Sequence, residues 1–282
     1  MGSTTSKIIG VFKVGLEINN VEAGELNTQQ MKEFPKIPGV SVKLDVDSTV
    51  KPTRRTRSHI PLHFKPMVRQ MLVEMLAKGI IERAENDSDW ISPIRVVLKH
   101  DRSPRIVIDY RGPNKAIKRR PYPLPRIDEL WEKLSTASCF ARLDISSAYH
   151  HVEIDKESRG MLSFMTEFGL IRFARLPFGV SCAPEAWQEI MDNIFRDCQG
   201  LVYYMDDFLV YASSEIELEE RLAEVLRRME ANHLTLNLSK CQMYTESVDF
   251  LGYKICNGKL TPADDKRDAI RDFQRPKSLK DL

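Results

Sequence analysis

No stretch of this chain is apolar for long enough to cross a bilayer, which takes about 20 consecutive residues, so no stable membrane association is expected. No secretory signal is read at the start, because Lys7 and a short mixed segment follow the first residues at once. The five cysteines, Cys139, Cys182, Cys198, Cys241 and Cys256, include no C-x-x-C pair. Their odd number argues against a disulfide framework and their spacing against zinc, which points to a reducing intracellular setting, cytoplasmic or nuclear. Internal repeats and low-complexity tracts are missing. Net charge is also scarce: 42 basic against 40 acidic residues leave +2, a balance that does not announce a nucleic-acid partner by itself.

What is present is unevenly placed. Lys51, Arg54, Arg55 and Arg57 form one basic cluster, and Lys115, Lys118, Arg119 and Arg120 form another. Such clusters suit a phosphate backbone or, equally, a solvated loop. Met1-Gly2-Ser3-Thr4-Thr5-Ser6 fits the short N-myristoylation pattern, and a single acyl chain gives only marginal membrane binding.

The acids are the more telling feature. Asp206 and Asp207 interrupt the apolar, aromatic run from Leu201 to Tyr211. Asp144 closes the run Cys139-Phe140-Ala141-Arg142-Leu143. Ionised carboxylates in β-prone apolar stretches need a balancing charge, and a hard divalent cation such as Mg²⁺ is the natural one. Strand alternation would send adjacent side chains to opposite faces, so the Asp206–Asp207 pair is predicted to lie at a hairpin turn. Three such acids at strand ends suggest metal-dependent phosphoryl transfer.

Periodicity supplies the frame. A helix is predicted after Pro66, with Met67, Val68, Met71, Leu72, Met75 and Leu76 on one face and Gly79 ending it. Ile94–Leu98 and Ile106–Tyr110 read as strands joined by a charged turn, and 123–134 as a proline-started helix. Strands are predicted at 139–145, 161–164 and 171–176, a helix at 184–195, and then the hairpin with the acid pair. A second amphipathic helix carries Leu218, Leu222, Val225, Leu226 and Met229, and 248–255 reads as a late strand. Lys13–Ile18 alternates like a strand without an obvious partner. Mixed helices and antiparallel hairpins indicate an α+β architecture.

From about Gly79 to Ile255 the chain resembles reverse transcriptases, especially those of gypsy-class long-terminal-repeat retrotransposons. The resemblance rests on Ile108-Asp109-Tyr110-Arg111, Arg119-Arg120-Pro121-Tyr122-Pro123-Leu124-Pro125 and Leu143-Asp144-Ile145-Ser146-Ser147-Ala148-Tyr149. It continues through Leu176-Pro177-Phe178-Gly179-Val180-Ser181-Cys182-Ala183-Pro184, Tyr204-Met205-Asp206-Asp207 and Phe250-Leu251-Gly252-Tyr253, all in the family's order. It implies a right-hand polymerase fold, fingers and palm with an antiparallel palm sheet, and only the start of a thumb at 256–282. Residues 58–255 are then the fingers and palm, after an N-terminal segment, 1–57, of uncertain structure.

The resemblance also implies roles. Asp144, Asp206 and Asp207 would hold two Mg²⁺ ions, or Mn²⁺. Lys99 and Arg105 would meet the triphosphate of an incoming deoxynucleotide, Tyr149 would exclude its 2′-hydroxyl, and Phe178 and Gly179 would line its pocket. Gln188 would lie near the templating base. Lys240 would protonate the leaving pyrophosphate. Leu251, Gly252 and Tyr253 would position the primer on an RNA or DNA template. Ala148, Pro113 and Pro104 depart from the common family pattern without removing a carboxylate. The early end of the chain and the lack of Asp-Thr-Gly or Asp-Ser-Gly suggest a polyprotein fragment. A catalytically inactive, retroelement-derived nucleic-acid-binding protein is the alternative. A metal-dependent nuclease shares the carboxylates but not Tyr149 or the motif order.

Overall fold

The structure, a computed structural model, describes residues 32–57, 60–85, 87–98, 104–125, 127–256, 258–263 and 271. Met1–Ser6, Lys13–Ile18, Lys99 and nearly all of 264–282 lie outside the described residues. A short strand, β1 (Ser41–Val42), precedes α1 (Lys65–Ala77), β2 (Ile81–Arg83), β3 (Ile94–Leu98) and β4 (Pro104–Ile108). Then come α2 (Ile127–Leu134), β5 (Cys139–Asp144), β6 (Glu153–Ile154), β7 (Ser163–Thr166), β8 (Gly169–Phe173) and α3 (Ala183–Phe195). The acid hairpin is β9 (Leu201–Tyr204) and β10 (Asp207–Ala212), followed by α4 (Glu215–Ala231) and β11 (Gln242–Thr245). The last three strands are β12 (Ser247–Phe250), β13 (Tyr253–Cys256) and β14 (Lys259–Pro262).

An antiparallel four-stranded sheet, ordered β11-β5-β10-β9, organises the site. Alternation gives it two faces. Ala141, Leu143, Phe208 and Val210 share the larger core with Trp187 and Met191 of α3 and Leu222 and Val225 of α4. Phe140, Val202 and Leu209 share a second core with Leu130 and Leu134 of α2 and Val248, Phe250 and Ile255 of the last sheet. Burying each such large side chain contributes about 1.5–3 kcal/mol, so both faces are anchored. Arg142 and Asp144 fall on the second face, beyond the part that α2 and β12–β14 cover. The register sets Asp207 opposite Asp144.

Further pairings are the β3–β4 hairpin and the three-stranded sheet β2-β8-β7. Helix α1 buries Val68 and Leu72 but leaves Met67 exposed, so the expected methionine face is narrower than the periodicity suggests. Gly79, at φ 66°, ends it as predicted. Helix α4 buries Leu218, Leu222, Val225, Leu226 and Met229, the predicted stripe. At its cap the Glu217 N–H donates to the Ser214 hydroxyl, and the Glu217 carboxylate accepts from the N–H of the preceding Ser213.

Three predicted elements change. The helix expected from Pro123 begins at Ile127, because Pro123 and Pro125 push the residues before them into extended backbone. The strand expected at 161–164 is a 3₁₀ turn, Arg159–Leu162, followed by β7. The single strand expected at 248–255 is a hairpin: Leu251 and Gly252 both take positive φ, 51° and 78°, and fold β13 back on β12 with Phe250 opposite Tyr253. Positive φ at both central residues is the two-residue turn that matches the twist of paired strands.

Candidate active site

The turn expected at Asp206–Asp207 falls one residue earlier. Asp207 pairs with Tyr204, leaving Met205 and Asp206 as the two-residue connection between β9 and β10. Met205 adopts φ 57°, uncommon for a non-glycine residue, and the turn is pinned from two directions. Trp187 of α3 donates its Nε1–H to the Met205 carbonyl at 2.7 Å, and the Tyr149 hydroxyl meets the Met205 sulfur at 3.4 Å. The Ile145 N–H donates to the Asp206 carbonyl at 3.3 Å, tying the turn to the end of β5.

The three carboxylates are brought together but do not share one environment. Burial pushes the Asp206 carboxyl above its ordinary range, and the charges of Asp207 and Asp144 push it further while Lys240 opposes them. Lys240 Nζ reaches Asp144 Oδ2 at 3.4 Å from an exposed position. Arg142 donates to Asp207 Oδ1 from Nη2 at 2.6 Å and from Nε at 3.2 Å. Among the described residues no three His, Cys, Asp or Glu side chains stand gathered as a finished metal cage. The donor set nevertheless fits a hard divalent cation. It offers carboxylate oxygens only, and Asp206 lies under the repulsion of two neighbouring acids, which such a cation would relieve.

The residues expected to meet the nucleotide form a connected patch. Ser147, at φ 50°, turns the chain after Asp144 into a short 3₁₀ segment, Ala148–His151, that carries Tyr149. The Tyr149 ring packs on Phe178 with centroids 4.7 Å apart and on Trp187 at 5.9 Å. Burial first, and then the Asp206 charge, push the Tyr149 hydroxyl to about 12, so it stays protonated. Phe178 is exposed, and the Arg105 guanidinium of β4 lies 5.7 Å from its ring centre. Gly179 takes φ 91°, a conformation an L side chain would strain. Gln188 is buried, and its amide donates to Asp192 at 2.9 Å. Leu251, Gly252 and Tyr253 form the β12–β13 turn, where Leu251 packs on the second core and Trp131 meets Tyr253 at 5.3 Å.

Several residues went unnoticed in the sequence. Asn114 clamps the Phe178–Gly179 loop, donating to the Gly179 carbonyl at 2.8 Å and accepting from the Ser181 N–H at 2.9 Å. Asp192 accepts from Gln188, Tyr203 and Tyr122, joining α3, β9 and the proline segment. Arg142 had a visible signal, a lone cation in an apolar strand two residues before Asp144. Asn114 and Asp192 had none, since both are common polar types in ordinary settings. His151 is fully buried: its Nε2 accepts from the Thr235 N–H at 3.2 Å and its Nδ1 meets the Ala148 carbonyl at 3.1 Å. That contact holds 235 beside Asp144, where the Asn237 N–H donates to the Asp144 carbonyl.

The basic clusters divide. Arg119 is bonded to the buried Glu185, Arg120 donates to the Lys43 carbonyl and Lys118 lies 3.9 Å from Asp45, so this cluster is largely engaged within the fold. Arg54, Arg55, Arg57 and Arg95 instead line an open cavity of about 530 Å³ beside the β3 strand. Arg54 pairs there with Asp87. Asp109 is held down to about 2 by its hydrogen bonds from Arg111, with Arg95 assisting.

Comparison with known proteins matches this arrangement. The family model described as "Reverse transcriptase (RNA-dependent DNA polymerase)" matches residues 97–255. The Transposon Tf2-3 polyprotein of Schizosaccharomyces pombe is 30% identical over 262 residues, covering 92% of this chain and 19% of that polyprotein. The Transposon Tf2-7 polyprotein of the same organism is 29% identical over the same length and the same shares. The chain thus spans about a fifth of the length of the curated relatives it matches. The fold is shared with a foamy viral protease-reverse transcriptase in complex with double-stranded DNA, at TM-score 0.79 and 20% identity over 100% of this chain and 48% of that one. A foamy viral protease-reverse transcriptase in complex with an RNA/DNA hybrid gives TM-score 0.71 and 21% identity, over 97% of this chain and 38% of that one. With its three acids on an antiparallel palm sheet beside a fingers hairpin, the chain belongs to the reverse transcriptase (RNA-dependent DNA polymerase) family.

Proposed function

We propose that this chain is the fingers and palm of an RNA-directed DNA polymerase, a nucleotidyltransferase that adds deoxynucleotides to a primer 3′-end, from a gypsy-class long-terminal-repeat retrotransposon. The observation that carries the reading is that Asp144 and Asp207 face each other at the end of the two inner strands of the palm sheet, with Asp206 in the adjoining turn and Lys240 on Asp144. The relatives with transposon names and the neighbours solved with DNA or RNA/DNA hybrid support it.

Asp144 and Asp206 would hold the divalent ions, Mg²⁺ or Mn²⁺, with Asp207 beside them. Two such ions supply Lewis-acid activation of the primer hydroxyl and charge stabilisation of the departing pyrophosphate. The chain's own groups do the rest. Arg105, on the β4 strand of the β3–β4 hairpin, would offer a planar fork to the triphosphate. Tyr149, packed between Phe178 and Trp187, is braced to exclude a 2′-hydroxyl. Lys240, 3.4 Å from the Asp144 carboxylate, would give a proton to pyrophosphate. The Arg54–Arg57 and Arg95 cavity suits the phosphates of a template strand in a cytoplasmic or nuclear setting.

The test is deoxynucleotide incorporation on a primed RNA template with Mg²⁺ or Mn²⁺, beside an Asp206→Asn variant. Extension by the parent chain alone is expected. Extension that survives the substitution would sink the assignment. No extension by either chain, with template binding retained, would favour the non-catalytic reading.

A further inference from the structure

The three acids differ in how their charge is met. Asp206 has no cationic hydrogen-bond partner among the described residues. Asp144 has Lys240, at the long distance of 3.4 Å and from a side chain that is 65% exposed. Asp207 has Arg142, whose side chain is 27% exposed against 25% for Asp207 and which bonds through two nitrogens. The placement is dictated by the sheet. Arg142 lies two residues before Asp144 and therefore on the same face. Its cross-strand partner is Leu209, so Asp207 is its diagonal neighbour, within reach of a long side chain. Both bonds fall on Oδ1, and Oδ2 of Asp207 accepts no protein hydrogen bond among the described residues.

We propose that Arg142 is a positioning residue that acts through Asp207. It fixes the rotamer of Asp207 and meets its charge on the sheet. The divalent ions are thus held chiefly by Asp144 and Asp206, while Asp207 contributes only its remaining oxygen. The cluster of three carboxylates behaves toward a cation as one of two, which keeps metal affinity modest until nucleotide phosphates arrive. This inference rests on the metal-binding reading of Asp144 and Asp206. A guanidinium is suited to the task, because it stays charged at every working pH and its fork holds orientation as well as charge.

Direct Mn²⁺ binding tests it, read from the electron paramagnetic resonance signal of free Mn²⁺ during titration of the nucleotide-free chain. R142Q is expected to bind Mn²⁺ about tenfold more tightly than the parent, because a carboxylate at close range is released to the ion. R142K keeps the charge but not the fork, and should fall between the two. In chelator, R142Q should melt below the parent, and Mn²⁺ should raise its melting temperature by more. A folded R142Q with unchanged or weaker Mn²⁺ affinity overturns the inference; if R142Q does not fold, R142K with parental affinity does so. D144N separates the two levels. Loss of Mn²⁺ binding in D144N beside an unaltered R142Q refutes the role of Arg142 alone, whereas D144N that binds like the parent removes the metal reading itself.

Discussion

The Tyr149 hydroxyl meets the Met205 sulfur at 3.4 Å, joining the short helix that follows β5 to the turn that carries Asp206. The same ring packs on Phe178, so one aromatic side chain connects the carboxylate turn with the loop expected to line the nucleotide pocket. Tyr149→Ala should open that space. The ratio of deoxynucleotide to ribonucleotide incorporation is expected to fall by at least about tenfold, while Tyr149→Phe keeps it. Unchanged sugar selectivity in Tyr149→Ala would refute the steric role.

Trp187 is fully buried and donates to the Met205 carbonyl. Trp187→Phe keeps a ring in the core but leaves that carbonyl without its partner. A stability loss of about 1–3 kcal/mol is expected in urea denaturation, together with slower primer extension because the turn carrying Asp206 is loosened. A variant that unfolds earlier yet extends at the parental rate would show that the bond serves the core alone.

Asp206 illustrates a conflict between stability and function. Its folded-state carboxyl is raised, so folding favours the protonated form, and that contribution is lost as pH rises through the folded value. At neutral pH and without metal, the ionised group works against the fold. Asp206→Asn should therefore melt at or above the parental temperature in chelator while primer extension falls by roughly a thousandfold. A clear drop in melting temperature would contradict the repulsion among the three acids.

The paired histidines predict an acid limit. Burial lowers His150 and His151 to about 4, with His151, Arg175 and Arg105 adding to the effect at His150, and the Ala148 carbonyl opposing it at His151. Their unfolded value is 6.5, so below it the unfolded chain binds protons that the folded one refuses. Stability is full above 6.5 and is lost as pH falls toward 4, by up to about 1.4 kcal/mol per histidine per pH unit. Urea midpoints between about pH 7 and pH 5 should fall steadily. His151→Gln should flatten part of that slope, and an identical slope would show that other groups set the acid limit.

Arg105 offers a kinetic test of the fingers. Arg105→Ala should raise the KM for deoxynucleotide by about tenfold or more, with Arg105→Lys restoring only part, since lysine is a point charge without the planar fork. Equal KM values in all three chains would place the triphosphate elsewhere.

Some of this protein is written directly in its residues. The α4 stripe from Leu218 to Met229 and the Ser214 cap are local patterns, and the structure keeps them. A hairpin turn was expected at Asp206–Asp207, because adjacent acids on one strand face opposite ways; it falls one residue earlier, at Met205–Asp206, with Asp207 opening β10. The acids themselves stood out because charge in an apolar strand demands compensation. What was misread locally was also local in cause: prolines delayed α2, and positive φ at Leu251 and Gly252 split one strand into two.

The rest was decided in three dimensions. Only the β5–β10 register puts Asp207 opposite Asp144 and brings Arg142, 65 residues away in sequence, onto its carboxylate. Packing turned Gln188 inward to Asp192 and set Asn114 as the clamp on Gly179. It also engaged Arg119 with Glu185 while leaving Arg54, Arg55, Arg57 and Arg95 around an open cavity. A sequence fixes which side chains carry charge and which faces are apolar, because those are properties of residues and of short periods. Which charge meets which depends on strand register and on burial, and both are set by the packing of segments far apart along the chain.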